Sequence, residues 1–327
     1  MSSVFIDQTA AQPHSRTLCF AGAVCDLSTN SPDLTRVLER LSISSDDSEI
    51  AGFNMRVIVD ESSCEAVGEP HFRGLHHVVT ACFGRSNVFV FDILRRTLSG
   101  SISAVVAQDD RFWKEKLIPI TLGVLGSAMG LVPVHCACME FDGDGLLIVG
   151  ESGAGKSTLS VALSKEGFKY VSDDWTYVSR RRDRIVAHGS SAPTKLLPDA
   201  VKHFETLHGH DLQTSMNGLS GYEIDIAKTF GVQVQRNCEP RWLIFLDRTG
   251  WAGTEFTPMS TAESRRYVNG AVEKLPLQLL EAAGIQEETV TRLAMLPGWR
   301  FRYGGTPQFA AKELHKFLVN RQQEVYA

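Results

Sequence analysis

The feature that most constrains the fold is the run GESGAGKST, residues 150–158, which lies between the apolar segment LLIV and the segment LSVALSKEG. The first of these segments is typical of a buried strand, and the second has apolar residues at helical spacing. The run fits GxxxxGK(S/T) in the strand–loop–helix context that this pattern requires. Its glycines allow backbone N–H groups to curl around phosphate oxygens, and the helix N-terminus adds a favourable dipole. The sequence therefore predicts an α/β domain with a phosphate-binding loop.

The whole loop is expected to contact a purine nucleotide, and two of its side chains are expected to have specific parts. The Lys156 ammonium would reach the β- and γ-phosphates, and the Ser157 hydroxyl would ligate Mg²⁺. ATP and Mg²⁺ are therefore the predicted cofactors. The predicted nucleotide-binding residues are Gly150, Glu151, Ser152, Gly153, Ala154, Gly155, Lys156, Ser157 and Thr158.

Two adjacent aspartates, Asp173 and Asp174, follow the loop after only one helix and one turn. We expect the strand before them to run beside the strand of the loop and to deliver both carboxylates next to the γ-phosphate. One could hold Mg²⁺ while the other accepts the proton of an attacking hydroxyl, a role worth roughly 10²–10⁴-fold in rate. Side chains alternate along a strand, so the two should point to opposite sides unless the chain turns between them. The alternative interpretation of the pair is a helix cap or a turn.

His135 lies in VPVHCACMEF, a predicted strand that turns at DGDG, residues 142–145, into the strand before the loop. Alternation puts His135 on one face of this strand and Cys136 and Cys138 on the other, which argues against a metal site made by the three. Pairing with the strand of the loop would bring the imidazole near the phosphates. A hydrogen-bonded core histidine is the alternative.

In their order along the chain, the histidine, the loop and the Asp-Asp pair resemble the bacterial HPr serine kinase/phosphorylase family and the wider set of HPr-kinase-like proteins. These proteins are related in fold to phosphoenolpyruvate carboxykinases. The resemblance runs through VHCACMEFDGDGLLIVGESGAGKSTLSVALSKEGFKYVSDD, residues 134–174. It implies that His135 and Lys156 are active-site residues, that Ser157 binds Mg²⁺, and that Asp174 accepts the proton of a serine hydroxyl.

Asp173 is then the expected metal-side carboxylate. The fold class implied is α/β, with a P-loop kinase domain of the HPr-kinase/PEP-carboxykinase-like type and a smaller N-terminal α+β domain. The first segment mixes short apolar runs with Ser, Asp and Gly, which is typical of a strand-rich module. We place the boundary near residue 110. This predicts a substrate-binding or regulatory module at 1–110 and the kinase domain at 111–327.

The chain lacks the EIRG-type string in which HPr kinases carry a second acidic ligand and a catalytic arginine. It is more similar to the divergent HPr-kinase-like group, several of whose members phosphorylate other seryl substrates, including the C-terminal serine of lasso-peptide precursors. The predicted function is therefore ATP-dependent transfer of the γ-phosphate to a seryl hydroxyl of a peptide or protein. Lys195 is a candidate replacement for the basic contact, and the candidate transition-state arginines are Arg241, Arg265 and Arg266.

Three other functions remain open on the sequence alone. Asp247, which ends the apolar run RWLIFLD, could serve an ordinary P-loop ATPase as its metal-side acid. The loop could also sense nucleotide without catalysis, or the substrate could be free serine. The sequence leaves open whether the chain forms a homo-oligomer.

Composition excludes several classes of partner. The net charge of −5 over 327 residues provides no global basic field, so no nucleic acid partner is expected. Prolines and glycines interrupt the longest apolar run, residues 117–139, and no membrane span is expected there. The N-terminal residues lack a basic region followed by an apolar core, so we expect no signal peptide and a cytoplasmic protein.

Overall fold

The computed structural model describes residues 14–43, 50–182, 184–190, 193–214, 218–250, 253–275 and 279–326. These residues form two compact units, one that runs to Met129 and includes Leu279, and one made of Gly130–Leu275 and the chain from Leu280 onward. Both units combine helices with β-sheet, which confirms the predicted mixed α/β class. The first N-terminal residues, on which the expectation of no signal peptide rests, lie outside the described residues.

Within the described residues, the first unit contains a seven-stranded sheet with the order β1-β2-β3-β7-β6-β5-β4. A short π-helical turn, Trp113–Leu117, joins its last two helices, and a 3₁₀ turn, Gly126–Met129, ends the unit. The strands are β1 (His14–Phe20), β2 (Ala23–Thr29), β3 (Phe53–Asp60), β4 (Pro70–Leu75), β5 (Val78–Phe83), β6 (Val88–Asp92) and β7 (Thr97–Ser103), and the helices are α1 (Pro32–Leu41), α2 (Ala104–Ala107), α3 (Asp110–Phe112) and α4 (Ile118–Leu125).

The boundary between the units falls between Met129 and Gly130, whereas the sequence analysis placed it near residue 110. Aromatic packing explains the difference. The ring of Phe112 lies 5.0 Å from that of Phe83, and the ring of Trp113 lies 6.2 Å from that of Phe89. Because β5 and β6 belong to the first sheet, these contacts attach the helical segment after residue 110 to the first unit.

Within the described residues, the second unit contains a nine-stranded sheet with the order β11-β9-β10-β17-β13-β12-β8, and β19 joins it beside β17 with β18 at its side. A separate three-stranded sheet has the order β14-β16-β15. The strands of the second unit are β8 (Leu131–Val134), β9 (Cys136–Phe141), β10 (Asp144–Val149), β11 (Lys169–Ser172), β12 (Thr176–Arg181), β13 (Arg184–His188), β14 (Thr194–Leu196), β15 (Gln213–Thr214), β16 (Ser220–Ile224), β17 (Asn237–Arg248), β18 (Thr254–Met259) and β19 (Gly298–Tyr303).

The helices of the second unit follow the strands in the chain. They are α5 (Lys156–Lys165), α6 (Ile226–Phe230), α7 (Thr261–Gly270), α8 (Leu280–Ala294) and α9 (Pro307–Tyr326), with 3₁₀ turns at Pro198–Lys202 and Glu205–Gly209. None of the described helices is long and apolar enough to cross a membrane.

Strands β9 and β10 form the hairpin that the DG turn residues predict. Asp142 and Gly143 have φ of 51° and 90°, so both residues of the two-residue turn are left-handed, as hairpin turns of this type require. The pairing runs to the register of Cys136 opposite Val149. The first residue of β9, which follows His135, therefore lies beside the start of the glycine-rich loop.

One expectation about neighbouring strands is wrong. Strand β11, which precedes the two aspartates, pairs with β9 and not with β10, the strand of the loop. Strand β9, the hairpin partner of β10, pairs with one edge of β10, and β17 pairs with the other edge in parallel. The aspartates therefore reach the loop from two strands away.

The predicted alternation along β9 is present. Ala137 and Met139 are buried in a cluster with residues of α5 and α9, whereas Cys136 and Cys138 are buried in a cluster with Leu147 and other residues on the opposite face. The sheet is thus buried on both faces, which is why β9 reads as a nearly continuous apolar run.

Candidate active site

The glycine-rich loop connects β10 to α5 at the carboxyl end of the strand. Gly153 and Gly155 have φ of 80° and 95°, a region that side chains with a Cβ rarely adopt, and Gly155 is the residue before the first turn of α5. Gly150 lies against β17, where an added Cβ would be 3.2 Å from the Cβ of Leu246. Backbone conformation therefore favours glycine at 153 and 155, and the close approach of Leu246 favours it at 150.

Lys156 is buried under this loop, with 7% of its surface exposed. Its Nζ donates hydrogen bonds to the carbonyl oxygens of Gly150, at 2.8 Å, and Glu151, at 3.2 Å. Burial lowers the pKa of the ammonium, and the nearby carboxylates of Asp174 and Asp173 oppose that shift. The lysine therefore ties the two ends of the loop together and places its charge among the aspartates.

Asp173 lies in a bend after the end of β11 and is 7% exposed. Its carboxylate accepts hydrogen bonds from the hydroxyls of Tyr170 and Ser157 and from the backbone N–H of Lys195. Within the described chain its Oδ2 atom is buried without a hydrogen-bond partner. Burial is the main reason that its pKa is raised to about 7, and the neighbouring charge of Asp174 adds to the shift.

Asp174 has a different environment, because 68% of its side chain is exposed. Its Oδ1 lies 3.0 Å from Nε2 of His135, and the imidazole packs against the ring of Trp175 at 5.4 Å between centroids. The backbone N–H of His135 donates to the carbonyl of Ala271 at 2.7 Å. The histidine and the exposed aspartate therefore form a dyad at the rim of the loop.

Two details of the sequence analysis need correction here. His135 lies in a bend between β8 and β9 and not inside a strand, so alternation does not determine its direction. Asp173 and Asp174 also lie in a bend, so the rule that strand neighbours point to opposite sides does not apply to them. The bend allows both carboxylates to approach the charge of Lys156 while only one of them is buried.

The residues present fit a magnesium ion. A serine hydroxyl and a carboxylate are oxygen ligands of the kind that Mg²⁺ prefers, and the unpartnered Oδ2 of Asp173 lies on a side chain that contacts Ser157. The described residues contain no group of three or more His, Cys, Asp or Glu side chains that could hold a metal by themselves. Mg²⁺ at this place would therefore complete its shell with water and phosphate oxygens, as it commonly does.

Asp247, the alternative metal-side acid, is near the carboxyl end of β17. Its Oδ2 accepts from Nε of Arg302 at 3.3 Å, and Arg302 also pairs with Glu255 at 3.2 Å. This carboxylate is thus part of an exposed ion-pair network between β17, β18 and β19.

The basic side chains that the sequence offered as candidates have other contacts. Nζ of Lys195 donates to the carbonyl of Leu219 at 2.8 Å, and the backbone N–H of this lysine donates to the carboxylate of Asp173. The remaining candidates form the pairs Arg241 with Glu239, Arg265 with Glu287, and Arg266 over the ring of Tyr267.

Sequence reasoning missed several residues that the fold brings to the loop. Tyr170 contacts Asp173, and Trp175 packs on His135. A Cβ added to Gly155 would lie 3.1 Å from Oη of Tyr303 and 3.9 Å from Nη1 of Arg248, so an exposed arginine stands beside the start of α5. Trp175, next to the aspartates, carried a usable signal in the sequence. Arg248 and Tyr303 come from strands distant in the chain, and the part of Tyr170 depends on its contact with Thr194 of another sheet.

The site and the fold define an α/β protein with a glycine-rich loop, a buried lysine and a histidine–aspartate dyad. Residues 130–198 match the family model of the HPr Serine kinase C-terminal domain. This match confirms the resemblance inferred from the sequence, and the matched segment is HPr-kinase-like. The matched segment contains His135, the loop and both aspartates.

Curated relatives agree with this match. The chain is 30% identical over 108 residues to the HPr kinase/phosphorylase of Lachnoclostridium phytofermentans, covering 33% of this chain and 29% of the relative. It is 25% identical over 165 residues to that of Lactobacillus delbrueckii subsp. bulgaricus, covering 50% of this chain and 46% of the relative. The matched part thus spans less than half the length of these relatives.

A solved structure of the Hpr(Ser) kinase/phosphatase from Coxiella burnetii also aligns with the chain. The alignment has a TM-score of 0.33 and 14% identity, and it covers 60% of this chain and 99% of that one.

Proposed function

We propose that the chain is an ATP- and Mg²⁺-dependent serine kinase that phosphorylates a seryl hydroxyl of a peptide or protein. The observation that carries the proposal is the Asp174–His135 dyad, with 3.0 Å between Oδ1 and Nε2, in electrostatic contact with the buried lysine of the loop. A phosphate group at the N-terminus of α5 would face backbone N–H groups, the helix dipole and Lys156 together. An exposed carboxylate at the same place suits a proton acceptor for an incoming hydroxyl.

The proposed step is an in-line displacement at the γ-phosphorus. Asp174 removes the proton from the seryl hydroxyl as the oxygen bonds to phosphorus, and the bond from phosphorus to the bridging oxygen of ADP breaks. Lys156 neutralises charge that develops on the phosphate oxygens. Mg²⁺, held by Ser157 and Asp173 together with phosphate oxygens, would supply further neutralisation. His135 holds the carboxylate of Asp174 and keeps it directed toward the loop.

The division of labour between the units is part of the proposal. The second unit holds the dyad and the loop, and we assign the chemistry to it as a P-loop kinase domain of the HPr-kinase/PEP-carboxykinase-like type. The first unit is assigned substrate binding or regulation. The C-terminal serine of a lasso-peptide precursor is the specific peptide that the resemblance suggests, and HPr is the protein that the names of the relatives suggest.

An ordinary ATPase centred on Asp247 is less well supported. The carboxylate of Asp247 is engaged by Arg302, whereas Oδ2 of Asp173 has no partner within the described chain. A buried carboxylate oxygen without a hydrogen bond is costly unless a ligand completes it. This contrast favours Asp173 as the metal-side acid.

The test is transfer of labelled γ-phosphate from ATP, in the presence of Mg²⁺, to peptides that end in serine, to HPr and to free serine. Wild-type protein should label a peptide or protein, and Lys156→Ala should lose most of its affinity for nucleotide together with transfer. Lys165→Ala is the matched control, because this lysine ends the same helix and lies over the ring of Phe204 at 5.3 Å.

Each other outcome points to a different function. ATP hydrolysis without labelling of any acceptor would favour the ATPase, and binding without hydrolysis would favour a nucleotide sensor. Labelling of free serine alone would identify a small-molecule kinase. Equal ATP affinity of wild type and Lys156→Ala would contradict the assignment of the loop itself.

A further inference from the structure

A chain of buried hydroxyl groups ends on Asp173. Oγ1 of Thr194 donates to Oη of Tyr170 at 2.8 Å, and the hydroxyl of Tyr170 contacts the carboxylate of Asp173. All three residues are nearly inaccessible, with 2%, 7% and 7% of their surfaces exposed. Such a chain is directional, because a tyrosine has only one O–H to donate and here its oxygen already accepts from the threonine. The proton of Tyr170 therefore points at Asp173.

Backbone contacts fix the positions of Tyr170 and Thr194. The N–H of Tyr170 donates to the carbonyl of Gln233 at 2.9 Å, and its own carbonyl accepts from Gln235 at 2.7 Å. Thr194 belongs to β14, where it pairs with Ile224 of β16. The hydroxyl chain thus connects Asp173 to two backbone segments outside the glycine-rich loop.

The carboxylate of Asp173 has hydrogen-bond donors, but one of its two oxygens has no partner in the part of the chain that the structure describes. Oδ2 is buried and has no hydrogen-bond partner within the described chain, while the same carboxylate group interacts with three donors, the hydroxyls of Tyr170 and Ser157 and the N–H of Lys195. Three donors to one carboxylate group restrict its rotation about the Cβ–Cγ bond. Its second oxygen is then presented in one direction.

We propose that Tyr170 is a positioning residue that fixes the Asp173 carboxylate so that Oδ2 is available to the divalent cation, and that Thr194 orients the Tyr170 hydroxyl for this task. The inference rests on the proposed function in one respect, the binding of a divalent cation with nucleotide at Ser157 and Asp173. It adds a residue that neither touches the cation nor takes part in proton transfer. Partners of this kind around a metal ligand typically affect metal affinity 10- to 100-fold.

The test measures the binding of Mn²⁺ by electron paramagnetic resonance, with the full chain and the nonhydrolysable analogue β,γ-imido-ATP. Tyr170→Phe keeps the ring and removes the hydroxyl, and it should weaken Mn²⁺ binding about 10- to 100-fold. Thr194→Val should also weaken Mn²⁺ binding, but by a smaller factor. Thr194→Ser keeps a hydroxyl at this position and should bind Mn²⁺ like the wild type. Nucleotide affinity without metal should change little in all three variants.

The matched control is Tyr222→Phe. Tyr222 is a buried tyrosine of β16, 8% exposed and part of the same apolar cluster as Tyr170. A role in packing alone would make the two phenylalanine variants alike in Mn²⁺ affinity. If Tyr170→Phe does not fold, the Thr194→Val and Thr194→Ser pair answers the same question.

The outcomes separate this inference from the proposed function. Unchanged Mn²⁺ affinity in Tyr170→Phe or, should that variant not fold, in Thr194→Val overturns the inference and leaves the kinase proposal intact. A selective loss of Mn²⁺ affinity supports the inference even if no acceptor is ever phosphorylated. Wild-type protein that binds no Mn²⁺ with the analogue overturns both.

Discussion

Asp173 is a buried carboxyl group among the charged residues of the site. It is buried against Tyr170 and Ser157, and burial together with the charge of Asp174 raises its pKa from the ordinary 3.8 to about 7. A carboxyl group with a raised pKa holds its proton more tightly in the folded protein than in the unfolded chain. Without a bound cation, its contribution to the stability of the fold is therefore full below about pH 4 and falls as the pH rises through about 7.

This environment predicts an effect of pH on Asp173→Asn. In the presence of a chelator, the free energy of unfolding of the variant should exceed that of the wild type by on the order of 2 kcal/mol at pH 8, and the difference should shrink toward pH 5. Urea denaturation at several pH values measures it. Asp211→Asn, which changes an exposed aspartate, is the control, and its free energy of unfolding should change with pH as that of the wild type does. A constant difference between Asp173→Asn and wild type across this range would contradict the raised pKa.

At this scale the sequence predicted which charged residues meet, but not their surroundings. His135, Lys156, Asp173 and Asp174 were named from the order of motifs, and the fold brings them to one end of the loop. The difference between the two aspartates was not predictable from alternation, because the chain bends at both of them. Tyr170 escaped notice because its partner Thr194 lies on a strand of another sheet.

Strand β10 is the element that places the loop, and its two neighbours hold it closely. Gly145 lies so near β17 that an added Cβ would be 2.7 Å from the sulfur of Cys238 and 2.7 Å from the carbonyl oxygen of Glu239. The sulfur of Cys238 in turn lies 3.3 Å from that of Cys138 on β9. Glycine at this position therefore permits the close approach of β17 to the strand before the loop.

We expect Gly145→Ala to destabilise the protein by about 1–3 kcal/mol, because a backbone oxygen must move to admit the methyl group. Gly284→Ala is the matched control: Gly284 is inside α8, nothing lies within 4 Å of its added Cβ, and the change should stabilise by up to about 1 kcal/mol. Thermal or urea denaturation compares them. Equal stability of the two alanine variants would mean that the contact between β10 and β17 is looser than described.

Local signals predicted some elements and failed for others, for identifiable reasons. The hairpin of β9 and β10 was predictable because Asp142 and Gly143 are the residues that a two-residue turn needs. The partner of β11 was not, since several parallel and antiparallel orders satisfy the same run of strands and helices. Strand order depends on contacts between segments far apart in the chain, which apolar periodicity does not encode.

At the scale of the whole molecule, the mixed α/β class was predictable and the boundary between the units was not. Composition changes gradually around residue 110, whereas the packing of Phe112 and Trp113 on Phe83 and Phe89 assigns the following helices to the first unit. The family match begins at residue 130, where the second unit begins. The proposed active site thus lies within one compact unit.

The central claim is that Asp174 is the proton acceptor of a phosphoryl transfer, and one comparison tests it most directly. Transfer from bound ATP to the acceptor serine is followed in single turnovers, with Mg²⁺ varied, for wild type, Asp174→Asn and Asp173→Asn. We predict that Asp174→Asn keeps nucleotide and cation affinity and loses roughly 10²–10⁴-fold in transfer rate, as removal of a general base should. Asp173→Asn should instead require a higher Mg²⁺ concentration to reach its maximal transfer rate. Transfer by Asp174→Asn at the wild-type rate would contradict the account.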